Sequence, residues 1–150
     1  MQVIRTAAVP AAVTKRETIR KDEIRTFMGP AMQAVLALVK SGAVAPAGAL
    51  FSHHFATDPA HWDLEVGIPV RSTVTPSGRV VAGELPARTV ARTVYHGGYE
   101  GLGAAWGEFH QKVAALGKAT TGEFWEVYTK GPESGTDSGE WTTELNLVVA

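Results

Sequence analysis

Residues 61–70 read His61-Trp62-Asp63-Leu64-Glu65-Val66-Gly67-Ile68-Pro69-Val70, and residues 140–149 read Glu140-Trp141-Thr142-Thr143-Glu144-Leu145-Asn146-Leu147-Val148-Val149. A tryptophan, a glutamate and the final valine of the two stretches coincide at an offset of 79 residues. Upstream, residues 48–55 correspond to residues 122–129 at an offset of 74. Two copies of one supersecondary unit are expected to meet along a shared seam, and a seam between units is a common place for a ligand. Each copy also places a carboxylate inside an apolar strand.

Length and charge limit the classes of protein to which this chain can belong. Its 150 residues suit one domain. The formal net charge is -1, so the chain lacks the strongly basic character that nucleic-acid binding needs. Without cysteine it can form neither disulfides nor thiolate metal sites. Neither a signal peptide nor a membrane span is evident, so we expect a soluble cytoplasmic protein.

Each half of the chain, about residues 1–70 and 79–149, shows the order strand, helix, strand, strand. The predicted fold class is α+β, with duplicated β-α-β-β units, pseudo-two-fold symmetry, and a curved antiparallel sheet that carries two helices. The predicted strands cover residues 3–18, 49–55, 62–70, 80–84, 89–96, 123–130 and 141–149.

The two predicted helices follow the spacing of apolar residues. In the first half this spacing begins at Ile24, but Pro30 interrupts it, and a proline inside a helix costs about 3 kcal/mol. We therefore expect the regular helix to start near Gly29 or Pro30, or to kink there. The second helix is predicted over about residues 99–116. A polar loop over residues 131–139 is interpreted as a solvated insertion, with a flexible lip over a site as the alternative.

An ordered series of short motifs in the second half resembles the GyrI-like effector-binding domain. The matching residues are His96-Gly97-Gly98-Tyr99, Leu102, Trp106, Glu126-Val127-Tyr128, Pro132 and Thr143-Glu144. That domain is the ligand-binding module of several multidrug-responsive bacterial transcription activators, and it also occurs as a free-standing protein. One departure is that the proline usual after the last glutamate is absent, whereas its counterpart Pro69 is present in the first half. No segment here reads as the helix-turn-helix of those activators, so direct DNA binding is not expected.

Glu144 is the first candidate for a ligand-binding residue. Side chains alternate along its strand, so Glu144 lies on the face opposite Leu145 and Leu147. A carboxylate that faces a cavity is costly unless something pairs with it. The resemblance implies that Glu144 meets the positive charge of lipophilic cations. The alternatives are a cross-strand pair with Arg88 or Arg92, or exposure on a solvated face. Its counterpart Glu65 is expected to be structural.

The remaining candidates are mostly aromatic, because a cation gains about 0.5–2 kcal/mol from a good contact with an aromatic face. They are Trp106, Trp125 and Tyr128, with His54 as the repeat counterpart of Tyr128, and Met28 from the first helix. Trp125 and Tyr128 must point to opposite faces of their strand, so at most one of the two enters a given pocket. For Trp106 the alternative is core packing beneath the sheet.

The histidines do not predict a metal site. His53 and His54 are adjacent on a strand and therefore point to opposite faces, whereas a ligand set must converge. The duplicated fold is shared with haem-binding SOUL proteins, and an axial ligand could only come from His54 or His110. No cofactor is expected.

Three functions remain open at this point. The leading hypothesis is a binding module for hydrophobic, often cationic or aromatic compounds, acting as a sensor or a sequestering protein. The alternative is a cofactor-free hydrolase that adds water to strained electrophilic rings, with Glu144 as general base and Tyr128 as hydrogen-bond donor. The third is an inhibitor that binds DNA gyrase. A protein partner or a homodimer is possible, and no contact with a membrane is expected.

Overall fold

A computed structural model describes residues 1–132, 135 and 137–150. Its strands and helices are β1 (Gln2–Arg5), β2 (Val9–Thr14), β3 (Glu17–Arg20), α1 (Ile24–Lys40), β4 (Phe51–Thr57), β5 (His61–Pro69), β6 (Val80–Leu85), β7 (Thr89–His96), α2 (Leu102–Ala115), β8 (Thr120–Lys130) and β9 (Thr142–Val149). A 3-10 turn precedes each helix, at Lys21–Glu23 and at Tyr99–Gly101. Neither helix is long and apolar enough to cross a membrane. The predicted loop 131–139 lies partly outside the described residues.

The sheet has the strand order that a duplicated chain should have. Its antiparallel order is β1-β7-β9-β8-β4-β5-β2-β6. The short strand β3 is outside this order and pairs with the first part of β5. Exchanging the two halves of the chain exchanges β1 with β6, β7 with β2, β9 with β5 and β8 with β4. The order then reads the same from its other end. The α+β class is confirmed, and the strand order agrees with duplicated units.

The strand register places the pseudo-two-fold axis at the middle of the sheet. Ser52 on β4 and Glu126 on β8 are direct cross-strand partners, and they are also repeat counterparts at the offset of 74. The neighbouring pairs agree, since His53 faces Glu65 across β4 and β5, and Val127 faces Glu144 across β8 and β9. The axis therefore passes between Ser52 and Glu126.

Both helices pack on the same face of the sheet, which we call the helix face. α1 covers Leu64 and Val66 of β5, and α2 covers Leu145 and Leu147 of β9. The register joins Val66, Ser52, Glu126 and Leu145 in one row across the sheet. The opposite face, here called the open face, is also apolar at its centre. Leu85 contacts the buried residues of two clusters there.

Two predictions about the first half need correction. The stretch 3–18, predicted as one strand, forms β1, β2 and the start of β3. The first helix starts at Ile24 and includes Pro30, instead of starting near Gly29 or Pro30. Ile24, Phe27 and Met28, upstream of the proline, pack against the buried core of β5. Tertiary packing thus offsets the local cost of the proline.

Candidate functional site

A pocket of about 860 Å³ opens where the N-terminal halves of α1 and α2 face the central strands. The sheet contributes its floor through Ser52, His54, Trp62, Phe124, Glu126 and Tyr128. These side chains point to the helix face because each occupies the same phase of its strand as the residues that pack under the helices. The volume suits a drug-sized molecule.

The helices line the pocket with matching positions. One stripe of residues on α1 and the turn before it faces the pocket, and so does one stripe on α2 and the turn before it. The residues of the two stripes correspond at an offset of 78, as the pairs Lys21 and Tyr99, Ile24 and Leu102, Arg25 and Gly103, Met28 and Trp106, Met32 and His110. Equivalent surfaces of the two repeats therefore enclose the same space. The chemistry of the two surfaces differs, since α1 supplies methionines and cations whereas α2 supplies aromatic rings.

Glu126 is the carboxylate at the pocket floor. The Trp106 indole Nε1 donates to Glu126 Oε2 at 2.7 Å, and the Tyr128 hydroxyl donates to Glu126 Oε1 at 2.8 Å. Ser52 Oγ donates to the same Oε1 at 3.4 Å. Within the described ranges, no lysine, arginine or histidine forms an ion pair with Glu126. The donors that reach Glu126 from the described residues are all neutral.

The other polar groups of the floor are neutral. Burial, together with the adjacent Glu126 carboxylate, raises the pKa of Tyr128 well above its ordinary value, so Tyr128 stays a phenol. Burial lowers the pKa of His54 to about 3, and the charges of His53 and Lys21 act in the same direction. The His54 ring stacks on Phe124 with 4.4 Å between centroids, and its Nε2 lies 3.2 Å from Ser52 Oγ. Glu126 is thus the carboxyl group of a floor whose other polar groups are neutral.

Aromatic rings form the walls around this carboxylate. Trp106 and Trp62 both meet Phe124 edge-on, with centroids 4.8 Å and 6.0 Å away. Tyr99 meets Tyr128 at 5.7 Å. The Lys21 ammonium lies over the Trp62 ring, 4.3 Å from its centroid. An aromatic or cationic guest would find faces of the kind that such groups prefer.

The expectation that Glu144 lines this pocket is wrong. Leu145 and Leu147 pack under α2, and alternation along β9 turns Glu144 to the open face. There its Oε1 lies 3.3 Å from Arg92 Nε and accepts a hydrogen bond of 3.1 Å from Asn146 Nδ2. The pairing with Arg92 that the sequence left as an alternative is the arrangement found. Glu65 also faces the open side, opposite His53.

Trp125 also lies on the open face, 2% exposed and packed with Val90 and Val148. Of the six sequence candidates, the structure brings together four, namely Tyr128, Trp106, His54 and Met28. It separates Trp125 and Glu144 from them.

The most important residue missed as a candidate is Glu126. It was part of the motif Glu126-Val127-Tyr128, and a period of two puts it on the face of Tyr128. The period that predicts Tyr128 in the pocket therefore also places Glu126 there. Trp62, whose sequence signal is its match to Trp141 in the repeat, also lines the pocket.

A family model described as the GyrI-like small molecule binding domain matches residues 2–149. The chain belongs to the GyrI-like family. The match confirms the resemblance read from the motifs and gives the protein its general function as a small-molecule-binding domain. None of the curated proteins matches the sequence significantly.

Solved structures with the same fold share little sequence with this chain. The C-terminal domain of EcmrR is 19% identical with a TM-score of 0.82, over 99% of this chain and 96% of that one. In the cryo-EM structure of an EcmrR–DNA complex the TM-score is 0.80 at 20% identity, and the GyrI-like chain spans only 56% of the EcmrR chain.

Two further solved structures are matched over most of their own length. SAV2435, bound to tetraphenylphosphonium, is 15% identical over 99% of this chain and 93% of its own, with a TM-score of 0.69. A hydrolase from Listeria innocua is 14% identical over 99% and 91%, with a TM-score of 0.59. At such identities the likeness shows the fold alone.

Proposed function

We propose that this protein binds hydrophobic aromatic compounds that carry a positive charge, in the pocket between α1 and α2, with Glu126 as the counter-charge. The observation that carries the proposal is the set of partners of Glu126. Trp106 and Tyr128 orient the carboxylate, but both are neutral. A partly buried carboxylate without a cation is costly. A cationic guest supplies the missing partner.

The surroundings of Glu126 support the same class of ligand. Trp62, Trp106 and Tyr99 present aromatic surfaces to the pocket, and Met28 and Met32 supply adaptable side chains opposite them. Tetraphenylphosphonium, the ligand of SAV2435, belongs to this class. A domain of this kind would serve as a sensor for a partner protein or would sequester the compounds that it binds.

The test compares Glu126→Gln with Glu144→Gln, two variants that keep side-chain shape and remove one charge from neighbouring strands. Both are titrated with tetraphenylphosphonium and with neutral triphenylphosphine oxide. For Glu126→Gln, loss of a charge-assisted contact of about 1.5–3 kcal/mol should weaken binding of the cation roughly ten- to a hundred-fold. Binding of the neutral compound should stay the same or improve. Glu144→Gln should bind both compounds like the wild type.

The opposite pattern would contradict the proposal. If Glu144→Gln were the variant that loses the cation, the site would lie on the open face. Equal losses for both compounds in Glu126→Gln would mean that Glu126 shapes the pocket without responding to charge.

A second candidate function rests on the contact between Tyr128 and Glu126, whose hydroxyl and carboxylate oxygens are 2.8 Å apart. These are the acid and base that addition of water to a strained ring requires. In such a reaction Glu126, and not Glu144, would take a proton from water, and neutral Tyr128 would donate one to the opened ring. Incubation with an aryl epoxide would then give a product heavier by one water. Glu126→Gln should abolish that product while leaving Glu144→Gln active.

A further inference from the structure

The charged side chains of the pocket balance one another. Two are cations, Lys21 and Arg25, and two are carboxylates, Glu100 and Glu126. We infer that the preferred ligands are zwitterions, aromatic compounds that carry an acidic group as well as a positive charge. This inference rests on the proposed function and narrows it to one class of ligand.

Lys21 lies in the 3-10 turn before α1, and Arg25 lies in the first turn of α1. Lys21 and Arg25 are four residues apart and lie on the helical stripe that continues with Met28 and Met32 into the pocket. Lys21 is half-buried with its ammonium over Trp62. Neither cation forms an ion pair with a residue that the structure describes.

The acids nearest to these cations in sequence have another partner. Asp22 and Glu23, in the turn before α1, form ion pairs with Arg20. Both carboxylates are more than half exposed. Asp22 and Glu23 therefore do not neutralise the positive charges of Lys21 and Arg25.

The matching end of α2 has no such cations. The positions equivalent to Lys21 and Arg25 are Tyr99 and Gly103, and the pocket carboxylate next to them is Glu100. Positive side chains thus border the pocket at α1, whereas negative ones border it at α2 and at the floor of β8. The charges of the pocket are therefore separated, with positive groups on one side and negative groups on the other. A ligand with opposite charges at its two ends would be oriented by them.

A simple cation matches this pocket only in part. It would pair with Glu126 but would share the cavity with Lys21 and Arg25, which are like charges. An added carboxylate on the ligand removes this repulsion and accepts charge-assisted hydrogen bonds from the ammonium or the guanidinium. The net charge of the ligand then matches that of the lining side chains, where two positive and two negative groups sum to zero.

A matched pair of dyes tests the inference. Rhodamine 123 is a cationic methyl ester, and rhodamine 110 is the corresponding free acid, a zwitterion at neutral pH. Fluorescence anisotropy would give the affinity of each for the wild type, for Lys21→Gln, for Arg25→Gln and for the double variant. Lys40→Gln is the control, because Lys40 is exposed in the last turn of α1, away from the pocket. Thermal melting would verify that every variant is folded.

We expect the wild type to bind the acid about ten-fold more tightly than the ester. The double variant should lose this preference, because binding of the acid weakens about ten-fold while binding of the ester is unchanged or tighter. Lys40→Gln should keep the wild-type ratio.

Equal binding of the two dyes by the wild type would overturn the inference, and so would an unchanged ratio in the double variant. In either case, binding of the ester that is lost in Glu126→Gln would leave the proposed function standing. If neither dye binds the folded wild type, the proposed function fails together with the inference.

Discussion

The two faces of the sheet each hold a glutamate from the second repeat, and the two glutamates lie on neighbouring strands. Glu126 on β8 points to the helix face, and Glu144 on β9 points to the open face. Both are partly buried. Glu144 has Arg92 beside it, whereas Glu126 has only neutral donors. Burial alone therefore does not mark a binding residue. A carboxylate is open to a ligand when the protein orients it without neutralising it.

The adjacent histidines show the same contrast. His53 points to the open face, where its Nε2 lies 2.7 Å from Glu123 Oε2, and Arg88 donates to the other oxygen of Glu123 at 2.8 Å. His54 points to the pocket, where it has Phe124 and Ser52 as neighbours. Burial lowers the pKa of both rings. On the open face Glu144, His53 and Glu123 thus lie beside charged or ionisable partners, whereas the other polar groups of the pocket floor are neutral around one carboxylate.

The largest expected effect is acid sensitivity caused by His54. Its folded-state pKa is lowered from 6.5 to about 3. Below about pH 6.5 the unfolded chain takes up a proton that the folded chain refuses until about pH 3, so the free energy of unfolding falls as the pH falls. Between pH 6.5 and 4.5 this one group should cost about 2 kcal/mol. Urea denaturation at several pH values would measure it.

His54→Phe should remove that part of the pH dependence while keeping a ring to stack on Phe124. His96→Gln, at the exposed end of β7, is the control for the loss of one histidine. If His54→Phe showed the same slope between pH 6.5 and 4.5 as the wild type, His54 would not be neutral and buried in the pocket floor.

The fold could be predicted from the duplicated sequence because each repeat indicates the same order of strands and helix. Matching stretches at 61–70 and 140–149 imply matching strands, and the palindromic strand order follows from that. The start of α1 could not be predicted, because contacts of Phe27 and Met28 with the sheet outweigh the local effect of Pro30.

The orientation of β9 could not be predicted from the sequence pattern. Alternation tells which residues share a face, but not which face meets the helices. Both faces of β9 are apolar, with Leu145 and Leu147 on one and Val148 beside Trp125 on the other. Packing of Leu145 and Leu147 under α2 fixes which face of β9 meets the helices. The carboxylate in the pocket is therefore Glu126 of β8 and not Glu144 of β9.

An intermediate effect is expected for the partners of the two glutamates. A double-mutant cycle of Trp106→Phe with Glu126→Gln should give a coupling energy of about 1 kcal/mol, because a hydrogen bond to a charged group in a partly enclosed site is lost. The cycle of Arg92→Gln with Glu144→Gln should give less than about 1 kcal/mol, because both side chains are partly exposed. Added salt should reduce the second coupling and leave the first unchanged. Equal salt dependence in the two cycles would contradict the distinction between neutral and ionic partners.

The smallest expected effect is a difference in thermal stability between variants of Glu65 and of its repeat counterpart Glu144. Burial raises the pKa of Glu65 from 4.5 to about 7, and the charge of Arg16, which donates to Asp63, acts in the opposite direction. Between pH 4.5 and about pH 7 the folded chain holds a proton that the unfolded chain has lost, so the free energy of unfolding declines as the pH rises. The full loss of stability is present above about pH 7. Glu65→Gln should therefore raise the melting temperature at pH 8 by about 1–2 °C and leave it unchanged at about pH 4, the gain being limited by partial exposure to solvent. Glu144→Gln occupies the equivalent position but loses its pairing with Arg92, so it should gain nothing at pH 8. Thermal melts of the two variants at both pH values would decide the point, since identical shifts would mean that Arg92 does not distinguish the two repeats.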